Sequence, residues 1–320
     1  MKLRRLLTLL ALLCAPLTAP AQEWPARPVK FVVPVPTGGG LDPFVRALAF
    51  KLGDSLKQKF IVENKPGASG SVGTAFVAKS APDGYTFIFV YDTHALNPTL
   101  IRDLPFDTVK DLAPVMLIGT APQLIASYPG RPYRSFSDVA TEARARPGSI
   151  NVGSTGNGSL GHLALLQLAR DGVQLTHIPY KGGGPVLQDL VGGQLDLGIA
   201  GLPNMLPHVK SGLIRPLAVT ATARSRALPE VPTLAEAGMS NVIAYTWWGI
   251  LAPEGTPKPI IARFHEAVVQ AMNTPDIRRM FSETLAMDVV ASSPEALQQY
   301  VAREIATWAR VVRENNIKAE

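Results

Sequence analysis

Val29-Lys30-Phe31-Val32-Val33 leads into Pro34-Val35-Pro36-Thr37-Gly38-Gly39-Gly40-Leu41-Asp42, and Pro43 opens a helix-period stretch that runs to Leu56. A β-branched run, a glycine-rich turn and an amphipathic stretch, in that order, make a strand–loop–helix unit of an α/β fold. A second unit of the same build lies mid-chain: Ile150–Val152, then Gly153-Ser154-Thr155-Gly156-Asn157-Gly158-Ser159, then a helical stretch over Leu160–Ala169. Glycines let the backbone approach a ligand, and each helix start offers free N–H groups and the positive end of the dipole. That combination favours an anion such as a carboxylate or phosphate. Two such turns facing each other across a cleft would clamp a small acid without a buried lysine or arginine. The plain alternative is a pair of ordinary tight βα turns. Neither turn is a nucleotide fingerprint: the first lacks G-x-G-x-x-G and an acidic ribose partner, and neither continues as G-K-[S/T].

Outward from these units, strand-like runs alternate with helical ones to the end of the chain. The strands are read at Phe60–Glu63, Tyr85–Val90, Pro114–Ile118, Leu124–Ser127, Leu175–Ile178, Leu195–Ile199, Arg215–Thr220 and Thr246–Leu251. The remaining helices are read at Ser71–Lys79, Phe136–Ala145, Pro185–Val191, Pro257–Met272, Pro275–Thr284 and Pro294–Val312. Such alternation predicts parallel sheets with helices packed on them. Thr256-Pro257, Thr274-Pro275 and Ser293-Pro294 each set a hydroxyl before a first-turn proline, the pattern of a capped helix start. Ser135 with Asp138, and Thr233 with Glu236, have capping-box spacing. The strands are too many for one sheet with short loops, so two α/β lobes are expected, each around a mostly parallel sheet. The chain should cross between them near Ala121-Pro122 and near Trp247–Ala252. Residues 22–122 would begin the first lobe, 123–247 form the second, and 248–320 return to the first. The cleft would lie at the carboxyl ends of the strands.

The N-terminus reads as an export signal. Lys2, Arg4 and Arg5 precede the apolar run Leu6–Leu13, and Ala19-Pro20-Ala21 is a small-x-small cleavage site. The one cysteine, Cys14, lies inside this segment and follows Leu13, which is not the small residue a lipoprotein site needs. Cleavage after Ala21 leaves 28 basic and 25 acidic residues and no cysteine, suited to an oxidising periplasm. A single cysteine excludes a disulfide scaffold and a thiolate metal cluster. No apolar run reaches the ~18 residues of a membrane span. The net charge of +6 does not mark a nucleic-acid binder: the basic residues are scattered among acidic ones, with no aromatic-interleaved stripe.

Catalytic and metal chemistry find little footing. Ser159 and His162 are three apart on a helix start, close enough to touch. However, the nucleophile elbow G-x-S-x-G is broken by Asn157, and no acid is placed to orient His162. Ser159 is therefore read as a cap or ligand hydrogen-bonder. His94, His177, His208 and His265 show no H-x₃-H spacing, so no metal and no cofactor are expected. Further cleft candidates follow predicted strands: Tyr91-Asp92-Thr93-His94, Tyr180-Lys181-Gly182-Gly183-Gly184 and Gly201-Leu202-Pro203-Asn204. Of these, Thr93, His94 and Asn204 are taken as ligand-binding residues.

With these segments in hand, the sequence resembles the Bug family, the extracytoplasmic receptors of tripartite tricarboxylate transporters. The resemblance rests on Val32-Val33-Pro34-Val35-Pro36-Thr37-Gly38-Gly39 with Asp42 and Arg46, and on Val62-Glu63-Asn64-Lys65-Pro66-Gly67-Ala68-Ser69-Gly70. It extends through Ala81-Pro82-Asp83-Gly84-Tyr85-Thr86, Asn97-Pro98, Gly153 to Ser159 with His162, and Leu228-Pro229-Glu230-Val231-Pro232-Thr233. It ends with Trp247-Trp248-Gly249 and Ala252-Pro253-Glu254-Gly255-Thr256-Pro257. It implies a type II-like clamshell that binds a small carboxylate (a di- or tricarboxylate, an aromatic acid or an acidic amino acid) and delivers it to membrane permease subunits, as a monomer and not an enzyme. The ligand carboxylate would be held by the two glycine-rich loops, which implicates Thr37, Gly38, Gly39 and Asp42, and Ser154, Thr155, Asn157, Ser159 and His162. Thr37 departs from the alanine more common in the family, which bears on specificity. Two other roles stay open: a ligand-presenting co-receptor for a membrane sensor kinase, and a secreted serine hydrolase.

Overall fold

The computed structural model describes residues 24–38, 40–239 and 242–317. The proposed signal peptide, its cleavage site and Gly39 lie outside them.

The opening unit forms as read. β1 (Val29–Val33) is buried almost throughout, as an interior strand covered on both faces must be. The following helix, α1 (Leu41–Leu56), buries Leu41, Phe44, Val45, Leu48, Ala49 and Leu52, one face at helical spacing. It ends where Lys57 turns left-handed. Next come β2 (Phe60–Asn64), α2 (Ser71–Ala78), β3 (Thr86–Tyr91) and α3 (Thr93–Leu100). β4 (Leu112–Ser127) is one sixteen-residue strand where two short ones were expected. After it follow α4 (Phe136–Ala145), β5 (Asn151–Ser154), α5 (Leu160–Arg170), β6 (Thr176–Pro179), α6 (Gly183–Val191), β7 (Leu197–Gly201), α7 (Leu202–Lys210) and β8 (Arg215–Val219). The chain closes with β9 (Tyr245–Pro253), α8 (Lys258–Met272), α9 (Pro275–Arg279) with a π-helical turn over Met280–Leu285, β10 (Asp288–Val289) and α10 (Pro294–Glu314).

The long β4 makes the architecture. Its first half pairs with β9 as far as Pro122, opposite Tyr245, and Gly119 and Thr120 pair with β10. Its second half, from Gln123 or Leu124 on, pairs with β7 on one edge and β8 on the other. One hydrogen-bonded path therefore links all the strands, in the order β2-β1-β3-β9-β4-β7-β5-β6, with β8 and β10 attached to β4. The expectation of two separate sheets is corrected in this respect: a strand this long serves both lobes, so no ladder is broken at the crossing. The pairs β1–β2, β1–β3, β5–β6 and β5–β7 are parallel, whereas every pair made by β4 or β9 is antiparallel. The two crossing strands run opposite to each other because the chain leaves on one and returns on the other.

Helices cover the sheet and divide the core. One apolar cluster joins Phe31, Phe87 and Phe89 with α1 and α8. Another joins α4, α5 and β5, and a third packs α6 and α7. α10 does not stay on the first lobe as expected. Leu297 and Val301 pack beside Val32 and Trp247, while Trp308, Val311 and Val312 join the cluster of α4 and α5. Its twenty-one residues span about 31 Å at 1.5 Å per residue, enough to reach from one cluster to the other. Both capping boxes form, Ser135 with Asp138 and Thr233 with Glu236. Of the three hydroxyl–proline starts only Ser293 caps its helix. Thr256 and Thr274 donate backward instead, to the carbonyls of Pro253 and Ala271.

Candidate functional site

The first glycine-rich turn is held from behind. The Asp42 carboxylate accepts the Gly38 N–H at 2.9 Å, Arg46 Nε at 3.0 Å and Asn64 Nδ2 at 2.8 Å. Asn64 also donates to the Val35 carbonyl at 3.0 Å and accepts from Arg46 and from the Thr37 hydroxyl. Burial raises the Asp42 pKa, but Arg46, the Gly38 N–H and the Asn64 amide together outweigh it and hold the carboxyl below its ordinary range. Asp42 is thus an ionised staple of the loop. Thr37, Gly38 and Asp42 do not line the cleft; Val35, Pro36, Gly40 and Leu41 do.

The second turn is also shaped from beneath. Ser159 caps α5 by accepting the His162 N–H at 3.3 Å, and its hydroxyl donates to Ser154 Oγ at 3.4 Å. Ser154 Oγ lies 2.6 Å from His177 Nε2. His162 Nδ1 accepts the Gly158 N–H at 3.1 Å, which puts its proton on Nε2, and its ring stacks on His177 with centroids 4.0 Å apart. Burial depresses the pKa of both imidazoles, and that of His177, with His162 beside it, falls to about 4. Both are therefore neutral near pH 7. Gly158 has φ +69°, and a Cβ there would meet Leu100 Cδ1 of α3 at 2.8 Å. A Cβ on Gly40 would come within 3.7 Å of Asn204 Oδ1. The lobes thus touch across the cleft.

That cleft, of about 740 Å³, lies where the strands end and helices begin. The starts of five helices open on it: Leu41 of α1, Thr93 of α3, Ser159 and Leu160 of α5, Gly182 to Gly184 at α6, and Gly201 with Pro203 at α7. Trp248, stacked on Phe44 at 5.7 Å, and Leu96 give it apolar wall. Among the described residues no lysine, arginine or histidine lines it, and the one acidic side chain that does is Asp92. Burial pushes the Asp92 carboxyl up to about 6, against hydrogen bonds from Thr246 and the Thr93 N–H. Among the described residues no group of three or more histidine, cysteine or acidic side chains could hold a metal ion.

Of the residues singled out in the sequence, Thr93, Thr155, Asn157, Ser159 and Asn204 line the cleft. Thr93 does so with its hydroxyl already donated to the Ser69 carbonyl at 2.8 Å. Ser154 and His162 stand one layer back and shape the second loop. His94 is not brought to the site. It turns away, its ring parallel to Phe106 at 6.4 Å, and borders a separate cavity of about 20 Å³ with Thr108. Adjacent residues at a helix start diverge by about 100°, so Thr93 and His94 do not share a face. Asp92, named among the cleft candidates but not taken as ligand-binding, lines the cleft, and sequence reasoning passed over Asn97, Gln123, Thr246 and Trp248. The signal for Asp92 was its place at the end of β3; Gln123 and Thr246 flank the crossing.

Comparison with known proteins agrees with this layout. The family described as "Tripartite tricarboxylate transporter family receptor" matches residues 44–317. The chain is 36% identical to "Protein BugT" of Bordetella pertussis, over 99% of both chains. The solved structure of periplasmic binding protein BugD superposes with a TM-score of 0.80 at 30% identity, over 93% of this chain and 100% of that one. An R. palustris protein solved with adipate gives 0.83 at 34% identity, over 92% and 99%. MatC from Rhodopseudomonas palustris, with bound malate, gives 0.78 at 33%, over 90% and 100%. These relatives are substrate-binding receptors and not enzymes, which removes the hydrolase reading of Ser159 and His162. The chain belongs to the tripartite tricarboxylate transporter receptors, the Bug proteins among them.

Proposed function

We propose that the mature protein is a periplasmic receptor that captures a small carboxylate between its lobes and hands it to the permease subunits of a tripartite tricarboxylate transporter. The observation that carries the reading is the convergence of five helix starts on a cleft that, among the described residues, no lysine, arginine or histidine lines. Free N–H groups and dipole ends are then what neutralises an anion there. Adipate and malate in two solved relatives point to the same ligand class. The leader would be removed after Ala21, and the moving units are residues 22–122 with the segment from 248 up to α10, against 123–247, with α10 packed on both. Thr155, Asn157 and Ser159 from one side and Gly40 and Leu41 from the other would meet the ligand. Closure is favoured only by the ligand's differential affinity for the closed form.

Thermal unfolding of the purified mature protein with a panel of mono-, di- and tricarboxylates tests this. A ligand at about 100 times its Kd stabilises by about 2.7 kcal/mol, a rise of a few degrees for a chain of this size. A rise with one acid supports the reading; silence across the panel, in folded and ligand-free protein, refutes it.

A further inference from the structure

Asp92 is out of place in an anion site. Among the described residues it is the one acidic side chain lining the cleft, and no cationic side chain lines the cleft beside it. It stands at the N-cap position of α3, but its side chain makes no capping bond beyond the first N–H of that helix. Its recorded partners are the Thr246 side chain and the adjacent Thr93 N–H, which leaves lone pairs of a carboxylate in a cleft otherwise suited to anions. The groups facing it from neighbouring elements do not neutralise it. Tyr91 precedes it on β3, and Tyr300 and Glu304 of α10 have their own pKa values raised partly by its charge. Arg303 bears on Tyr300 and Glu304 but has no part in setting the Asp92 pKa. A ligand with carboxylates alone would bring like charge against it.

We propose that Asp92 determines specificity, and that the cleft takes a carboxylate that also carries an ammonium group, its carboxylate on the helix starts and its nitrogen against Asp92. This rests on the carboxylate-receptor reading above and narrows it. An ammonium group gives the half-buried acid the partner that the protein withholds, and the pair forms only when the ligand is bound. The upward push on the Asp92 pKa agrees with an acid kept waiting for a cation.

The test uses matched pairs that differ only by the amino group: succinate and L-aspartate, glutarate and L-glutamate, valerate and 5-aminovalerate. Calorimetric titration of the mature protein near pH 7.5 should find the amino member of a pair bound at least about tenfold more tightly, the usual worth of a charge-assisted bond. Asp92→Asn, which keeps the shape and the Thr246 contact, should erase that preference. Independently of any variant, the wild-type preference should shrink near pH 5, where protonated Asp92 no longer attracts a cation and no longer repels a second carboxylate. Binding of the plain acids as well as or better than their amino partners, with Asp92→Asn unchanged within twofold, overturns the role of Asp92 and leaves the receptor reading standing. Silence from every member of all three pairs, in folded ligand-free protein, overturns the role of Asp92, and overturns the receptor reading too when the tricarboxylates of the wider panel are equally silent.

Discussion

Replacing Asp42 by alanine separates the cleft wall from the device that holds it. The carboxylate accepts three hydrogen bonds, from the Gly38 N–H, Asn64 Nδ2 and Arg46 Nε. The Arg46 side chain is 45% exposed and Asp42 3%, so the guanidinium returns to water and the lost ion pair costs only ~0.2–1 kcal/mol. The other two are bonds to a charged acceptor, worth ~1.5–3 kcal/mol each. Asn64 keeps its bond to the Val35 carbonyl, which places its loss at the low end. Together they come to about 3–5.5 kcal/mol, much of it in the order of the first loop and the rest in global stability. Since ~1.4 kcal/mol is a tenfold change, affinity for whichever acid stabilises the wild type should fall by about 10- to 100-fold. Asp42→Asn, with one acceptor oxygen left, should fall between. Titration calorimetry and thermal unfolding on the same samples divide the loss between binding and folding. If Asp42→Ala binds within threefold of wild type, the first loop does not carry the ligand and the argument from its geometry is wrong.

Other perturbations follow from the same structure. Gly119→Ala puts a Cβ 2.7 Å from the Asp288 carbonyl oxygen and 3.1 Å from Phe281, where β10 packs on β4. Backbone cannot yield cheaply there, so a loss of ~1–3 kcal/mol is expected in chemical denaturation. Ser159→Ala removes the cap of α5 and one bond to Ser154, which should cost ~1 kcal/mol of stability while leaving the backbone donors of the loop in place. The buried imidazoles set an acid limit. His94 and His177 have folded pKa values of about 4 against 6.5 unfolded, and that of His162 is lowered too. In that window the unfolded chain binds more protons than the folded one, so stability is full above pH 6.5 and is lost as pH falls toward 4. His94→Leu should flatten that slope in a pH series of urea melts; an unchanged slope would show that His94 does not titrate on unfolding.

Much of the fold was legible because its signals are local. β1, its glycine turn and α1 carry their periods in adjacent residues, and the capping boxes of Ser135 and Thr233 formed where spacing placed them. Two helices were not seen, and both are short and carry proline: α3 with Pro98, α7 with Pro203 and Pro207. β4 looked like two strands because Gly119 and Pro122 interrupt its β-branched run; its unity depends on pairing with β9, β7 and β8, which no window of sequence contains. The site divided on the same line. Residues in the turns were found, whereas which of them face the cleft depends on helix phase, and this separates Thr93 from His94. Asp92 was visible as a residue at a strand end, but its isolation from any cation is a property of the assembled cleft.

The most direct measurement of the central claim is a crystal structure of the mature protein with a carboxylate that stabilises it. The account predicts carboxylate oxygens within hydrogen-bond distance of backbone N–H groups at the second glycine turn or the starts of α1, α6 and α7, with no lysine or arginine touching them. A carboxylate seated on an arginine or lysine, or bound outside the cleft, would contradict it.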